Sequence, residues 1–278
     1  MTIRSILLHV AAESCDPKRS AARYAIGLAD AYDAHLDALV FELDVVTPKS
    51  FYGRQIAADA ASDVDQRNAE IGSAADSLRQ AAAERGVDAR VITDRSHAHS
   101  TPEIATDHAR LADIVVAGVC EDGLLSERMV AEVLIFQSGR PVIIVPTGHE
   151  ESFSADHILV AWDHSRVAAR ALGDAMPLLR RASHVTIVSF GDDKAMESSL
   201  SPEDLRTALR QRGVRAQLLE GTRADSDIAD AIHAVAAEVG ADMLVMGGFG
   251  HSRFRDFVLG GATRAILSAP QLPTLISH

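Results

Sequence analysis

The sequence predicts a tandem α/β protein, two copies of a doubly wound unit in which parallel strands alternate with helices. Three observations carry this. Apolar runs recur in the same order in both halves of the 278 residues. "SILLHV" (Ser5–Val10) matches "HILVAW" (His157–Trp162), "ADIVVAG" (Ala112–Gly118) matches "ADMLVMG" (Ala241–Gly247), and "RPVIIVP" (Arg140–Pro146) matches "LPTLIS" (Leu272–Ser277). The runs are short and mostly unalternated, as strands covered by helices on both faces are. Between them lie Ala- and Leu-rich stretches with helical spacing, and that alternation implies parallel crossovers.

In the first copy the strands are expected near Ile6–Val10, Leu36–Glu42, Ala89–Thr93, Ile114–Ala117 and Val142–Val145. In the second they are expected near Ile158–Trp162, Val185–Phe190, Ala216–Leu219, Met243–Met246 and Thr274–Ile276. Two helical patterns are clearest. "RVAARALGDAMPLLRRA" is interrupted by Pro177, which kinks or breaks a helix. In "SDIADAIHAVAAEVGAD", Ile228, Ile232, Val235 and Val239 share one face, Asp225 or Ser226 caps the start and Gly240 ends it. The polar, turn-forming stretch Pro146–His157 marks the seam, so the domains are read as 1–150 and 151–278. The first strands are offset by 152 positions (158 − 6) and the fourth by 129 (247 − 118). Copy one therefore holds about 23 extra residues, placed between its second and third strands.

Composition narrows the class. Aromatic residues are only 4% of the chain, so the core must be aliphatic. A net charge of −12 argues against general nucleic-acid binding, which rests on Lys and Arg neutralising phosphates. Cys15 and Cys120 have no metal-ligand or CxxC spacing and fit a reducing compartment. No apolar run approaches the roughly 18–20 residues a membrane span needs. The expectation is a cytoplasmic protein with no metal site and no membrane partner.

The chemistry concentrates in "MLVMGGFGHSRFRDFVLGGATRAIL", Met243–Leu267. A strand runs into Gly247 and Gly250, which allow a tight turn and close approach to a bound group. Gly260 and Gly261 open a short helical pattern whose free N–H groups attract phosphate, with Thr263 adding a hydroxyl. Arg253, Arg255 and Arg264 against Asp256 give the segment Gly247–Leu267 a local charge of +2 (3 − 1) in an acidic protein. His251 beside the loop is read either as a phosphate donor or as a surface histidine. Asp163, after the first strand of the same copy, can accept from ribose hydroxyls or an adenine amino group. Ligands of doubly wound sheets sit beyond the carboxyl ends of strands, where these residues fall. The plainer alternatives are an ordinary strand–helix loop and, for Asp163, an N-cap on a helix at Ser165–Ala182. The pair "SHAHS" and the "WDHS" stretch lack the further ligands or the nucleophile elbow that metal or hydrolase chemistry needs.

"GGFGHSRFRDFVLGGAT" resembles the G-x2-G-x9-G-[ST] ATP-binding loop of the universal stress protein family, and the whole chain resembles a tandem member. Gly247, Gly250 and Gly260 fall on the three family glycines, and Asp163 on the acidic residue that contacts nucleotide. The resemblance implies an adenine-nucleotide α-hydrolase-like fold with two five-stranded sheets of order 3-2-1-4-5. It also implies fifth strands that pair between domains or between subunits of a homodimer. The expected ligand is ATP or AMP, with Mg²⁺ accompanying a triphosphate. Val188, ending the second strand of copy two, is a further candidate for backbone contact to adenine. Gly261 stands where the family's nucleotide binders have Ser or Thr, which removes one hydroxyl. In copy one, Glu121 replaces Gly250 and Ala11 replaces Asp163, so that half is expected to be a structural partner. No G-x4-G-K-[ST] loop and no placed carboxylate or lysine supports phosphoryl transfer, and no catalytic residue is assigned. A stress-response or regulatory nucleotide binder is the expectation. The alternatives are an interaction scaffold without nucleotide and an adenylating enzyme.

Overall fold

In a computed structural model, described for residues 2–9, 20–43, 51–96, 101–119, 127–190, 200–222, 226–248 and 261–278, the first half runs β1 (Ser5–His9), α1 (Ser20–Tyr32), β2 (His35–Leu43), α2 (Phe51–Glu84), β3 (Ala89–Ser96), α3 (Thr101–Ala109), β4 (Ile114–Ala117), α4 (Glu127–Gln137) and β5 (Val142–Ile144). The second runs β6 (His157–Ala161), α5 (Arg166–Asp174), α6 (Met176–Leu179), β7 (His184–Phe190), α7 (Pro202–Gln211), β8 (Gln217–Gly221), α8 (Ile228–Val239), β9 (Met243–Gly247), α9 (Gly261–Ser268) and β10 (Thr274–Ser277). Among the described residues no helix is long and apolar enough to cross a membrane.

Each half has strand order 3-2-1-4-5, but the halves are not separate sheets. All ten strands form one sheet in the order β3-β2-β1-β4-β5-β10-β9-β6-β7-β8. The join is antiparallel, with Thr274 opposite Ile144 and Ile276 opposite Val142. β5 and β10 would otherwise be exposed edges with open N–H and C=O groups, and pairing them removes both edges. Every other pairing is parallel.

Two apolar layers sandwich the sheet. One lies under α1, α2, α5, α6 and α7 and is built from Ile6, Leu8, Ile143, Ile158, Val160, Leu178 and Leu275. The other lies under α3, α4, α8 and α9 and includes Leu7, Val115, Leu134, Leu244, Ile266 and Ile276. The first layer is sealed where the connection between β5 and β6 crosses α1. Tyr24 Oη donates to the Ser154 carbonyl, and its ring packs edge-on to Phe153 at 5.4 Å between centroids. Gly27 leaves room for that connection, since a Cβ there would stand 2.9 Å from Phe153 N. Further along, Arg181 reaches the Ala31 carbonyl and lies over the Tyr32 ring at 4.5 Å, while Tyr32 Oη donates to the Pro177 carbonyl.

Local details differ from the sequence reading at helix starts. α8 is capped by Asp227, whose side chain accepts from Ala229 N, one or two residues past the expected cap. Gly240 ends the helix in the left-handed region at φ 66°, as expected. The helix after Asp163 starts at Arg166 with Ser165 as cap, and it breaks at Ala175, next to Pro177. The extra length of copy one is helical: α2 has 34 residues where α7 has 10.

Candidate functional site

The candidate site lies at the carboxyl ends of β6 and β9, which are hydrogen-bonded neighbours. The chain leaves β6 through Trp162 and turns sharply. Asp163 Oδ1 accepts from Ser165 N at 2.9 Å, closing an Asx turn around His164, which adopts φ 62°. A left-handed histidine costs on the order of 1 kcal/mol, so the turn is held by its surroundings. Ser165 Oγ then accepts from Ala168 N at 3.1 Å and starts α5. Asp163 is therefore not the helix cap. It anchors the turn that precedes the cap, and the turn fixes where its carboxylate stands.

The first turn of α5 presses on the end of β9. A Cβ on Gly247 would lie 2.5 Å from Ala168 N and 2.6 Å from Val167 C. Gly247 thus has a packing reason to be glycine: it lets helix and strand approach until the Asp163 turn borders the strand end. Gly261 is the first residue of α9, exposed, and no atom of the described residues lies within 4 Å of the position a Cβ would take. Thr263, two residues on, is 2% exposed and belongs to the core. Val188 is fully buried opposite Ala161, and its carbonyl already accepts from Trp162 N at 2.9 Å. Gly250, His251 and Gly260 lie outside the described residues.

Two polar groups here were not singled out in the sequence. Trp162 Nε1 and Ser277 Oγ are buried without a hydrogen-bond partner among the described residues, and Ser277 pairs in register with Gly247. Buried polar atoms normally find partners, so two orphans at one end of the sheet mark it as unusual. Strand patterning alone gave no signal for either, because both read as ends of apolar runs.

The equivalent end of the first half is filled by the protein itself. Register places His9 opposite Leu39 and Ala117, as it places Ala161 opposite Val188. The imidazole is 4% exposed, packs edge-on to Phe41 and has no partner for Nδ1 among the described residues. Burial lowers its pKa to about 4, against a smaller opposing pull from the Leu39 backbone. Glu127, 2% exposed at the start of α4, lays its carboxylate against Gly118. A buried carboxylate disfavours phosphate. The sequence reading assigned that role to Glu121, which, with Ala11, lies outside the described residues, and it overlooked Glu127.

The sequence profile of the universal stress protein family matches residues 154–278. The C-terminal half is a universal stress protein domain. A universal stress protein from Archaeoglobus fulgidus DSM 4304 aligns with 98% of this chain and 97% of its own, at TM-score 0.68 and 17% identity. A putative universal stress protein from Pseudomonas aeruginosa UCBPP-PA14 aligns with 99% and 93%, at TM-score 0.61 and 17% identity. At that identity the likeness speaks for the fold, and it extends the universal stress protein architecture across both halves. No curated protein matches the sequence significantly.

Proposed function

We propose that this chain is a regulatory protein of the stress response that binds one adenine nucleotide, ATP or AMP, at the carboxyl ends of β6 and β9. The observation that carries the reading is the close approach of the first turn of α5, which follows directly on the Asp163 turn, to the end of β9, permitted by Gly247. It sets an anchored carboxylate beside the start of the glycine segment, in the half that belongs to the universal stress protein family. The residues present fit the ligand. Asp163 would take the ribose or base, and the N–H at Gly261 would face phosphate from the start of α9. Gly250 and Gly260 belong to the same proposed loop, and Mg²⁺ would accompany a triphosphate. The hydroxyl of Thr263 and the carbonyl of Val188 serve the fold first, so binding rests on Asp163 and the glycines. The first half, plugged by His9 and Glu127, is assigned no nucleotide.

The test is calorimetry of nucleotide-free protein with ATP and AMP, with and without Mg²⁺. One site per chain is expected. Asp163→Asn keeps an oxygen for Ser165 N–H and so keeps the turn, but it loses the second carboxylate oxygen. It should weaken binding about tenfold or more, the scale of a hydrogen bond to a charged group. Unchanged affinity in this variant would remove Asp163 from the site. Two sites per chain would contradict the asymmetry. No binding at millimolar nucleotide would leave the interaction scaffold as the reading.

A further inference from the structure

We infer that the last turn of α4, in the half without nucleotide, is a positioning surface for the nucleotide crevice of the other half. The inference rests on the nucleotide reading above and adds a residue-level dependence of that site on the first domain. Three contacts converge on the end of α4 and the residues just after it, and a fourth comes from its first turn. Gly248, buried directly after β9, sits between two side chains: a Cβ there would lie 2.9 Å from Ile276 Cγ2 and 3.4 Å from Ile135 Cγ2. Phe136 packs edge-on to His278, with centroids 5.1 Å apart. Gly139, just past α4, accepts from Arg170 Nη2 of α5 at 3.2 Å. Arg128, on the first turn of the same helix, donates to Ser268 Oγ of α9 at 3.3 Å.

Each of these contacts falls on an element that builds the crevice. Gly248 begins the glycine segment and is tied to β10 through its N–H, which donates to the Ser277 carbonyl at 2.8 Å. α5 carries the Asp163 turn at its start. α9 carries Gly261. His278, whose ring Phe136 touches, has its pKa lowered by burial and, to a smaller extent, by the positive charge of Arg166, the first residue of α5. Ile135 is 2% exposed and packs in the layer that runs under both halves. A side chain of the first domain therefore backs the point where the chain leaves β9 for the glycine segment. Interiors are close-packed, and removing such a backing group gives the turn room to shift. A shift at Gly248 changes where the phosphate-facing N–H groups stand without touching any ligand atom.

The experiment compares Ile135→Ala, Ile135→Val and Tyr32→Phe in the full chain. Val keeps a Cγ2 methyl at the contact, whereas Ala removes it. Tyr32→Phe is the interface control: it deletes the bond to the Pro177 carbonyl on the opposite face of the sheet. The readouts are ATP affinity by calorimetry, the emission change of Trp162 (the single tryptophan) on adding ATP, amide exchange of residues 244–248 without nucleotide, and the urea midpoint. Ile135→Ala should weaken ATP about fivefold, within the range seen for coupling residues that touch no ligand, and speed exchange at 244–248. Ile135→Val should bind within about twofold of the natural protein, and Tyr32→Phe should lower the urea midpoint with affinity unchanged. If the natural protein binds ATP and Ile135→Ala binds equally well, this inference falls and the nucleotide reading stands. If Ile135→Ala and Tyr32→Phe weaken ATP alike, the effect is general loosening and the inference also falls. If the natural protein does not bind, both readings fall together. Should Ile135→Ala fail to fold, Phe136→Ala against Phe136→Leu applies the same test to the His278 contact.

Discussion

His9 offers a prediction whose size follows from its surroundings. The imidazole is 4% exposed and its pKa is lowered to about 4 by burial, from the ordinary 6.5. The folded protein therefore holds His9 neutral where the unfolded chain takes a proton. The sign follows: His9 costs nothing above pH 6.5, and stability falls as pH drops from 6.5 towards 4. A difference of about 2.5 pKa units corresponds to about 3 kcal/mol in full. Most of that loss, about 2–3 kcal/mol, should be seen between pH 7.5 and 4.5. His9→Leu removes the proton-binding group and the orphan Nδ1, and loses the edge contact to Phe41. These changes oppose each other, so the variant should match the natural protein near pH 7.5 within about 1 kcal/mol. Urea unfolding of both proteins at pH 7.5, 6.5, 5.5 and 4.5 measures the difference. His149, His233 and His278 are also lowered by burial and slope the natural profile the same way. Partial burial of His35 is outweighed by its hydrogen bonds to Asp88 and Asp37, which raise it, so it slopes the other way. These contributions cancel between the two proteins. Parallel profiles would show that His9 is reached by water or by a proton-sharing partner, and the plugged first half would have to be abandoned.

Two more perturbations address the second half. Gly247→Ala places a methyl 2.5 Å from Ala168 N, a backbone atom that cannot swing aside. The urea midpoint should drop by the equivalent of about 1–3 kcal/mol, the usual cost of overpacking, and an unchanged midpoint would refute the close approach of α5. Gly261→Ser meets no atom of the described residues within 4 Å and adds a hydroxyl at the first residue of α9. It should tighten ATP about two- to tenfold by calorimetry, and a weaker complex would mean that α9 does not face the phosphates.

The strands were legible because burial on both faces writes itself as apolar runs. Ile114–Ala117 was located to the residue, the strand from Ala89 ended three residues later than expected, and the others fell within two residues of the ends found. The duplication gave the strand order through family likeness, and the length difference correctly located the insertion that α2 fills. Helix starts were less legible. Asp163, Ser165, Asp225, Ser226 and Asp227 are all competent caps, and only the path of the chain decides which one is used. The reason for Gly247 was hidden for another cause. Its crowding comes from Val167 and Ala168, 80 positions away, and nothing local to the glycine records them. His9 was read inside the first strand, Ile6–Val10, and Glu127 opens a helix, so neither position carried a local sign that its side chain would be buried at the strand ends. Their burial depends on which helix covers the strand end.

The two halves share a backbone plan and differ in what stands at the strand ends, and that difference has a physical logic. A crevice that receives an anion must keep small groups at the carboxyl edge of its sheet and must keep carboxylates out of phosphate reach. In the second half, Ala161 and Gly247 leave that edge lean, and the carboxylate of Asp163 is turned back on Ser165 N–H. In the first, an imidazole stands in the place of Ala161 and the Glu127 carboxylate lies against the Gly118 position that corresponds to Gly247. Such a half can surrender binding and keep its fold, because β5 still pairs with β10 and α4 still packs beside Gly248. A half without a ligand site is free of the constraints of an open cleft. It can fill its strand ends, rigidify, and offer α4 as a fixed wall. The second half keeps the glycines, which are costly in stability but necessary for close approach. The division predicts where substitutions should matter for what. Changes at the carboxyl ends of β1 and β4 should alter stability and its pH dependence, while those at the ends of β6 and β9, and on the last turn of α4, should alter nucleotide affinity.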